Sequence, residues 1–432
     1  MNKPKPINEI KQEIAAGKLD AALSRIYVKD TESLEPYKAR ILRLMAGYED
    51  VFGTDDAAPA AIFSAPGRTE LGGNHTDHQG GLVLTGAVDL DAIACAAPNG
   101  TDTVNIWSEG FGMTTLSCVD LEPREEEKNH TAAIVRGMLA GVAKAGCPVA
   151  GFDAYVVSDV PGGSGLSSSA CFEILIGTIA DGLFGDGIDP VELAKIGQYA
   201  ENVYFGKPSG LLDQMGCSIG GIVNIDFCDR QEPAVRRVDF DFAKTGYALC
   251  IIDTGGDHAG LTDCYAAVPE EMRAVARVFG KERLSEVEEK SFLAAIPEVR
   301  RKAGDRAVQR AMHYYADCRR VEEQTAALER GDFPAYLRLV RESGDSSFKY
   351  LQNVDTYRNP ANQPVALALA IAERLLAAKG AVRVHGGGFA GTIQAYVPKE
   401  ELAAFKEGMD RIFGEGACRV TSIRPVGGCR VI

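Results

Sequence analysis

The chain has 432 residues, 46% of them hydrophobic, enough for two or three packed domains and too ordinary a mix for a disordered or fibrous protein. Its formal net charge of −14 excludes a protein that binds nucleic acid or an anionic membrane through bulk positive charge. Eleven cysteines, an odd number with no C-x-x-C pair, do not make a disulfide framework or a zinc site, and they suit a reducing cytoplasm.

Ile7, Ile10 and Ile14, then Leu19 and Leu23, recur at helical spacing and predict polar-faced helices at the start of the chain. No run anywhere approaches the roughly 20 apolar residues of a membrane span. "AAIFSAPGRTE" and "GLVLTGAVDLDAIACAAP" read as strands joined by a Gly-rich turn. "HTAAIVRGMLAGVAKAG" is a helix closed by Gly146, "FDAYVVSDV" a strand, and "SSSACFEILIGTIADGLFG" a buried helix. Further strands are "GGIVNIDF", "YALCIIDTG", "AVRVHGGGFAGTIQAYV" and "CRVTSIRPV", while residues 308–339 and 364–378 are expected to be helical. The polar stretch "CDRQEPAVRRVD" is the natural seam. It divides the chain into a helical extension (1–60), a first domain (61–232) and a second (233–432).

Between the strand "FDAYVVSDV" and its helix lies "PGGSGLSSSA". Glycines let backbone amides approach a ligand, and a helix N-terminus adds partial positive charge, which suits a phosphate. The serine hydroxyls can bind phosphate oxygens or the shell of a magnesium ion. By itself the stretch is equally a Gly/Ser connector. It is neither a Walker loop, since no G-K-[ST] follows, nor a nucleophile elbow. "GGGFAG", residues 386–391, satisfies G-x-G-x-x-G, yet "TIQAYV" behind it alternates like a strand, so a Gly-rich hairpin is expected instead of a dinucleotide site.

A third stretch, "APGRTELGGNHTDHQGGLVL", concentrates Arg68, His75 and Asp77 among glycines. The three stretches, in this order, resemble the GHMP family of small-molecule kinases and, within it, the galactokinases. Their opening string, G-R-[VT]-N-L-[IM]-G-E-H-[TI]-D-Y-x-x-G, is matched by Gly67 to Gly80; "GSGLSSSA" is the family's ATP-phosphate motif; "HGGGFAG" stands for its T-G-G-G-F-G-G. Further matches, from "AENVYFGKPSGLLDQ" through "HAGLTDCYAAVPEEMR" to "RPVGGCRVI", carry the likeness over nearly everything after residue 60.

The resemblance implies a two-domain α+β fold with the active site in the interdomain cleft, and ATP-dependent phosphorylation of the anomeric hydroxyl of galactose. It implies Arg68 and Asp213 as the catalytic pair. Asn74, His75, Asp77, Gly210 and Tyr265 would bind the sugar. Gly162, Gly163, Ser164, Gly165, Leu166, Ser167 and Ser168 would bind ATP, with Ser169 and Glu201 holding magnesium. Without the family, Asp213 would be a turn or cap residue, Arg68 a surface ion pair, and His75, Asp77 and His78 half of a metal cluster whose other half is missing.

Three departures from the family pattern stand out. Asn74 replaces a glutamate and His78 a tyrosine, so the sugar is the least determined feature: a related pyranose such as N-acetylgalactosamine is the alternative. "TAAIVRG" lacks the aromatics of the family's adenine string, and Trp107 is either core or pocket wall. A silent galactose sensor is disfavoured by the complete serine run. No nucleic-acid or membrane partner is expected.

Overall fold

A computed structural model of the chain describes residues 3–163, 165–229, 231–256 and 260–432. Three helices lead: α1 (Ile7–Ala15), α2 (Asp20–Tyr27) and α3 (Glu35–Phe52), preceded by the short strand β1 (Lys5–Pro6). They pack onto β2 (Pro59–Gly72) and β3 (Leu82–Pro98), a long antiparallel pair whose alternation assigns each face its own layer. Ala60, Ile62, Ile93, Cys95 and Ala97 pack with Ile7, Ile10, Ile14 and Leu23 of the leading helices. Ala61, Phe63, Ala65, Ala92, Ala94 and Ala96 face the other way, into a core shared with Val135, Leu139 and Ile176. The leading helices are therefore one of the layers covering the first sheet.

That sheet continues through β4 (Thr103–Ser108), β5 (Gly112–Ser117), β6 (Phe152–Ser158), β7 (Ile222–Asp226) and β8 (Ala234–Val238). β3 is long enough to serve two neighbours, pairing β6 over Ala92–Pro98 and β7 over Leu82–Gly86. Its inner face carries α4 (Thr131–Lys144), α5 (Ser168–Phe184), α6 (Pro190–Tyr199) and α7 (Leu212–Ile219), with a π-helical turn at Ala200–Phe205.

A second, four-stranded antiparallel sheet contains β9 (Tyr247–Gly256), β10 (Ala381–Val384), β11 (Gly391–Pro398) and β12 (Cys418–Thr421), in the order β10-β11-β9-β12. Around it lie α8 (Thr262–Val278), α9 (Glu289–Ala294), α10 (Ile296–Ala303), α11 (Asp305–Glu329), α12 (Phe333–Ser346), α13 (Pro364–Leu376) and α14 (Leu402–Phe413). The "GGGFAG" segment is the turn of the β10–β11 hairpin, as its alternating flank predicts.

Two expectations are corrected. A single helical stretch over 308–339 is instead α11 and α12, because Gly331 at φ +70° ends one helix and Asp332 caps the next by accepting from Ala335 N. A boundary at 232/233 would split a hairpin: β8 pairs β7, so the change of sheet falls between Val238 and Tyr247. The C-terminus also returns to the first sheet, where β13 (Cys429–Arg430) pairs β2 at Ser64 and Phe63.

One buried carboxylate joins these layers. Asp91 on β3 accepts from Arg40 of α3 at 2.5 Å, from Tyr27 of α2 at 2.9 Å, from Ser64 of β2 and from Arg424 of the returning tail at 3.1 Å. Burial would raise its pKa, but the flanking guanidiniums of Arg40 and Arg424 hold it below the usual carboxylate value.

Candidate active site

Arg68 lies on β2 just past a bulge in its pairing with β3, and is 7% exposed. Its Nε and Nη2 donate to Asp213 Oδ1 at 2.9 and 2.6 Å, while Nη1 donates to the carbonyl of Gly165 in the phosphate-loop candidate. Asp213 stands in the first turn of α7, whose close approach depends on Gly216: a Cβ there would lie 2.8 Å from Arg68 Cβ. Ser167 closes the triangle, donating to Asp213 Oδ2 at 2.5 Å. Asp213 keeps 39% of its side chain exposed. Burial would raise its pKa, and Arg68 with Ser167 outweigh that and hold it below the usual carboxylate range.

The loop after β6 delivers these groups by its backbone conformation. Gly163 and Gly165 have φ +75° and +71°, and Ser167, at φ 58° and ψ 58°, is the left-handed residue from which α5 starts. Gly162, Gly163 and Ser169 are exposed, Gly165, Ser167 and Ser168 half-buried, and Leu166 is buried, accepting at its carbonyl from Arg68 N at 3.1 Å. Ser164 lies outside the described residues.

The Gly-rich hairpin turn reaches across from the second sheet. Its successive carbonyls each accept from a different element: Gly386 O from Asn74 Nδ2 at 2.7 Å, Gly387 O from His75 Nε2 at 3.0 Å, and Gly388 O from Tyr265 OH at 2.6 Å. Because a carbonyl only accepts, His75 carries its proton on Nε2, and burial holds the ring neutral, with its pKa lowered to about 4. Asp77 and Gly210 meet nearby, since a Cβ at Gly210 would lie 2.7 Å from Asp77 Oδ2. The His75 and His78 rings are 6.3 Å apart, and among the described residues no His, Cys, Asp or Glu cluster suited to a metal occurs.

Asn74, expected from the family string to meet the sugar, has protein partners on both side-chain polar atoms. Asn74 is fully buried, donates to Glu70 Oε1 at 3.0 Å and to Gly386 O, and accepts at Oδ1 from Asn353 at 2.8 Å and Ser347 at 3.3 Å. Its hydrogen-bonding capacity is used inside the protein. Glu70, in turn, is paired with Arg383 of β10 at 2.5 Å. Glu70 was missed although the opening motif contains the signal: the family string has Asn at this position and Glu at that of Asn74, so amide and carboxylate have exchanged places. His385, standing for the threonine of the third motif, was missed as well. It bonds Thr69 Oγ1 at 3.0 Å and Thr392 Oγ1 at 2.9 Å behind the phosphate loop.

Glu201 sits in the π-helical turn, 3% exposed, paired with Lys207 at 2.6 Å. Gln214 Nε2 donates to Glu201 Oε2 at 3.1 Å and to Glu173 Oε2 at 2.9 Å. Burial, reinforced by the charge of Glu201, pushes Glu173 up to about 8.

The galactokinase galactose-binding signature matches residues 46–98, and the GHMP kinase N-terminal domain matches residues 132–221. Over 387 residues the chain is 30% identical to a galactokinase of Streptococcus suis, covering 86% of this chain and 93% of that protein. The chain belongs to the galactokinase family. A galactokinase of Limosilactobacillus reuteri is 29% identical over 391 residues, covering 86% of this chain and 93% of its own. Lactococcus lactis galactokinase complexed with galactose superposes with a TM-score of 0.75 at 25% identity, covering 90% of this chain and 99% of that one. A mevalonate kinase superposes at a TM-score of 0.59 and 16% identity, covering 85% of this chain and 98% of its own, so the GHMP kinase fold extends beyond the galactokinase family. No described helix is long and apolar enough to cross a membrane.

Proposed function

We propose that the chain transfers the γ-phosphoryl group of ATP to the anomeric hydroxyl of D-galactose, giving galactose 1-phosphate and ADP. The observation that carries this reading is the Arg68–Asp213 pair, set beside a Gly/Ser loop at the N-terminus of α5. Backbone amides and the helix dipole there favour the phosphates of a nucleotide. Asp213, kept ionised by Arg68 and Ser167, accepts the hydrogen bond of the sugar hydroxyl and orients its oxygen toward the γ-phosphorus. A carboxylate with a lowered pKa is a weak base. The proton therefore moves to it only as the new P–O bond forms and the hydroxyl acidifies. Arg68, bonded at once to Asp213 and to the Gly165 carbonyl, places positive charge where the transferring group becomes most anionic.

Magnesium would be held by the Ser169 hydroxyl and the Glu201 carboxylate, hard oxygen donors of the kind the ion takes. The fit is supported by Ser169 being exposed on the first turn of α5 and by the carboxylate of Glu201, whose oxygens have lone pairs beyond those taken by Lys207 and Gln214; nucleotide and water would supply the remaining ligands. The ion's chemistry is to neutralise phosphate charge. Asp77, His75, the Gly210 backbone and the Tyr265 ring supply the sugar side of the cleft.

The withdrawal of Asn74 into the interior favours a second reading, a related pyranose such as N-acetylgalactosamine. The test is to incubate the protein with MgATP and single free sugars and identify products by phosphorus NMR. Galactose 1-phosphate is expected; nucleotide binding with no phosphorylated hexose from any sugar would overturn the function.

A further inference from the structure

Behind the site, four segments close on one polar cluster in which the phosphoryl-transfer reading uses Ser169 and Glu201 but gives Glu173 and Gln214 no role. Ser169 and Glu173 are four residues apart on α5 and so lie on one face of the helix, Ser169 exposed at the cleft and Glu173 fully buried below it. Gln214 follows Asp213 on α7 and, also fully buried, divides its amide between Glu173 Oε2 at 2.9 Å and Glu201 Oε2 at 3.1 Å. α6 makes room by offering Gly197: a Cβ there would lie 3.1 Å from Glu173 Oε2 and 2.9 Å from Gln214 Cγ. Glu201 itself stands on the π-helical turn, a backbone irregularity of the kind frequent at functional sites. Among the described residues, two contacts hold that carboxylate: Lys207 on Oε1 and Gln214 on Oε2.

We propose that Glu173 is a positioning residue that, by anchoring the amide of Gln214, aims the carboxylate of Glu201 at the ion it holds. This rests on the reading of Glu201 as a magnesium ligand. Without Glu173 the Gln214 side chain loses the partner that fixes its rotamer, and Glu201 loses one of its two constraints. The role is geometric and does not depend on charge. Glu173 Oε1 and Gln214 Oε1 are both buried without a hydrogen-bond partner, so an amide at position 173 fits as well as the acid. Its oxygen accepts from Gln214 Nε2 as the carboxylate does.

The experiment measures Mn2+ affinity of the protein saturated with a non-hydrolysable ATP analogue, by electron paramagnetic resonance, beside kcat and the half-saturating Mg2+ concentration. Glu173→Ala and Gln214→Ala are each expected to weaken metal binding about tenfold, the usual scale for partners that orient a ligand. The double variant should be no weaker than either single one, because both break the same link. Glu173→Gln should stay within about twofold of wild type. Wild-type metal affinity in Glu173→Ala, or a Glu173→Gln protein as weak as Glu173→Ala, would overturn the proposal; should Glu173→Ala not fold, Gln214→Ala and Glu173→Gln decide the same question. Glu201→Ala separates the underlying reading, which fails if that variant binds Mn2+ as wild type does.

Discussion

Asn74 donates its side-chain amide to Glu70 at 3.0 Å, and Glu70 is anchored by Arg383 from the second sheet at 2.5 Å. Relative to the galactokinase string, the amide and the carboxylate stand in each other's positions, and here they are in contact. Asn74→Glu alone therefore sets two carboxylates against each other in a buried site. A loss of about 3 kcal/mol in unfolding free energy is expected, the scale for an uncompensated buried charge. Adding Glu70→Asn should restore most of it. Urea unfolding of the two singles and the double measures the coupling; additive effects would show that the side chains are independent.

Asp213→Asn removes the carboxylate held ionised beside Arg68 and touches no loop amide. kcat is expected to fall on the order of a thousandfold, with MgATP affinity largely intact. Steady-state kinetics together with calorimetric titration of the nucleotide check both halves. Near wild-type turnover would remove Asp213 from the chemistry.

Gly165 has φ +71°, and a Cβ there would lie 3.0 Å from His385 Nδ1 and 3.1 Å from Thr392 Oγ1. Gly165→Val thus combines backbone strain of about 1–2 kcal/mol with a wedge between the phosphate loop and the second sheet. ATP binding should be lost in a protein that still unfolds cooperatively. Calorimetry on the folded variant decides; unchanged ATP affinity would reduce the loop to a connector.

Asp91→Asn leaves Arg424 buried without its counter-charge and Arg40 with only the half-exposed Asp159 at 3.1 Å, and should cost about 3 kcal/mol at neutral pH. The native pKa of Asp91 lies below its ordinary value of 3.8, so its stabilisation is complete above that value and is lost as pH falls through the native pKa. The gap between variant and wild type should accordingly narrow in acid. Unfolding curves at pH 7 and pH 3 test the sign.

Local signals in the sequence determined much of this protein. Helical spacing from Ile7 to Leu23, strand alternation through residues 60–98 and the hairpin around "GGGFAG" are set by periodicity and turn residues within a few positions of each other, and all three are present in the structure. The strings around Arg68, Gly165 and Asp213 likewise named the residues that meet. Tertiary structure alone decided which polar groups are already spent. Asn74 has the same identity whether it faces a sugar or Glu70, and only the approach of the Gly386 carbonyl and of Asn353, each distant in sequence, uses up its hydrogen bonds. The same holds for β8, polar enough to read as a linker until β7 pairs with it, and for Glu173, whose place below Ser169 matters only because Gln214 and Gly197 arrive from other helices. Periodicity acts through the chain's own neighbours; burial and hydrogen-bond satisfaction depend on segments the local sequence does not contain.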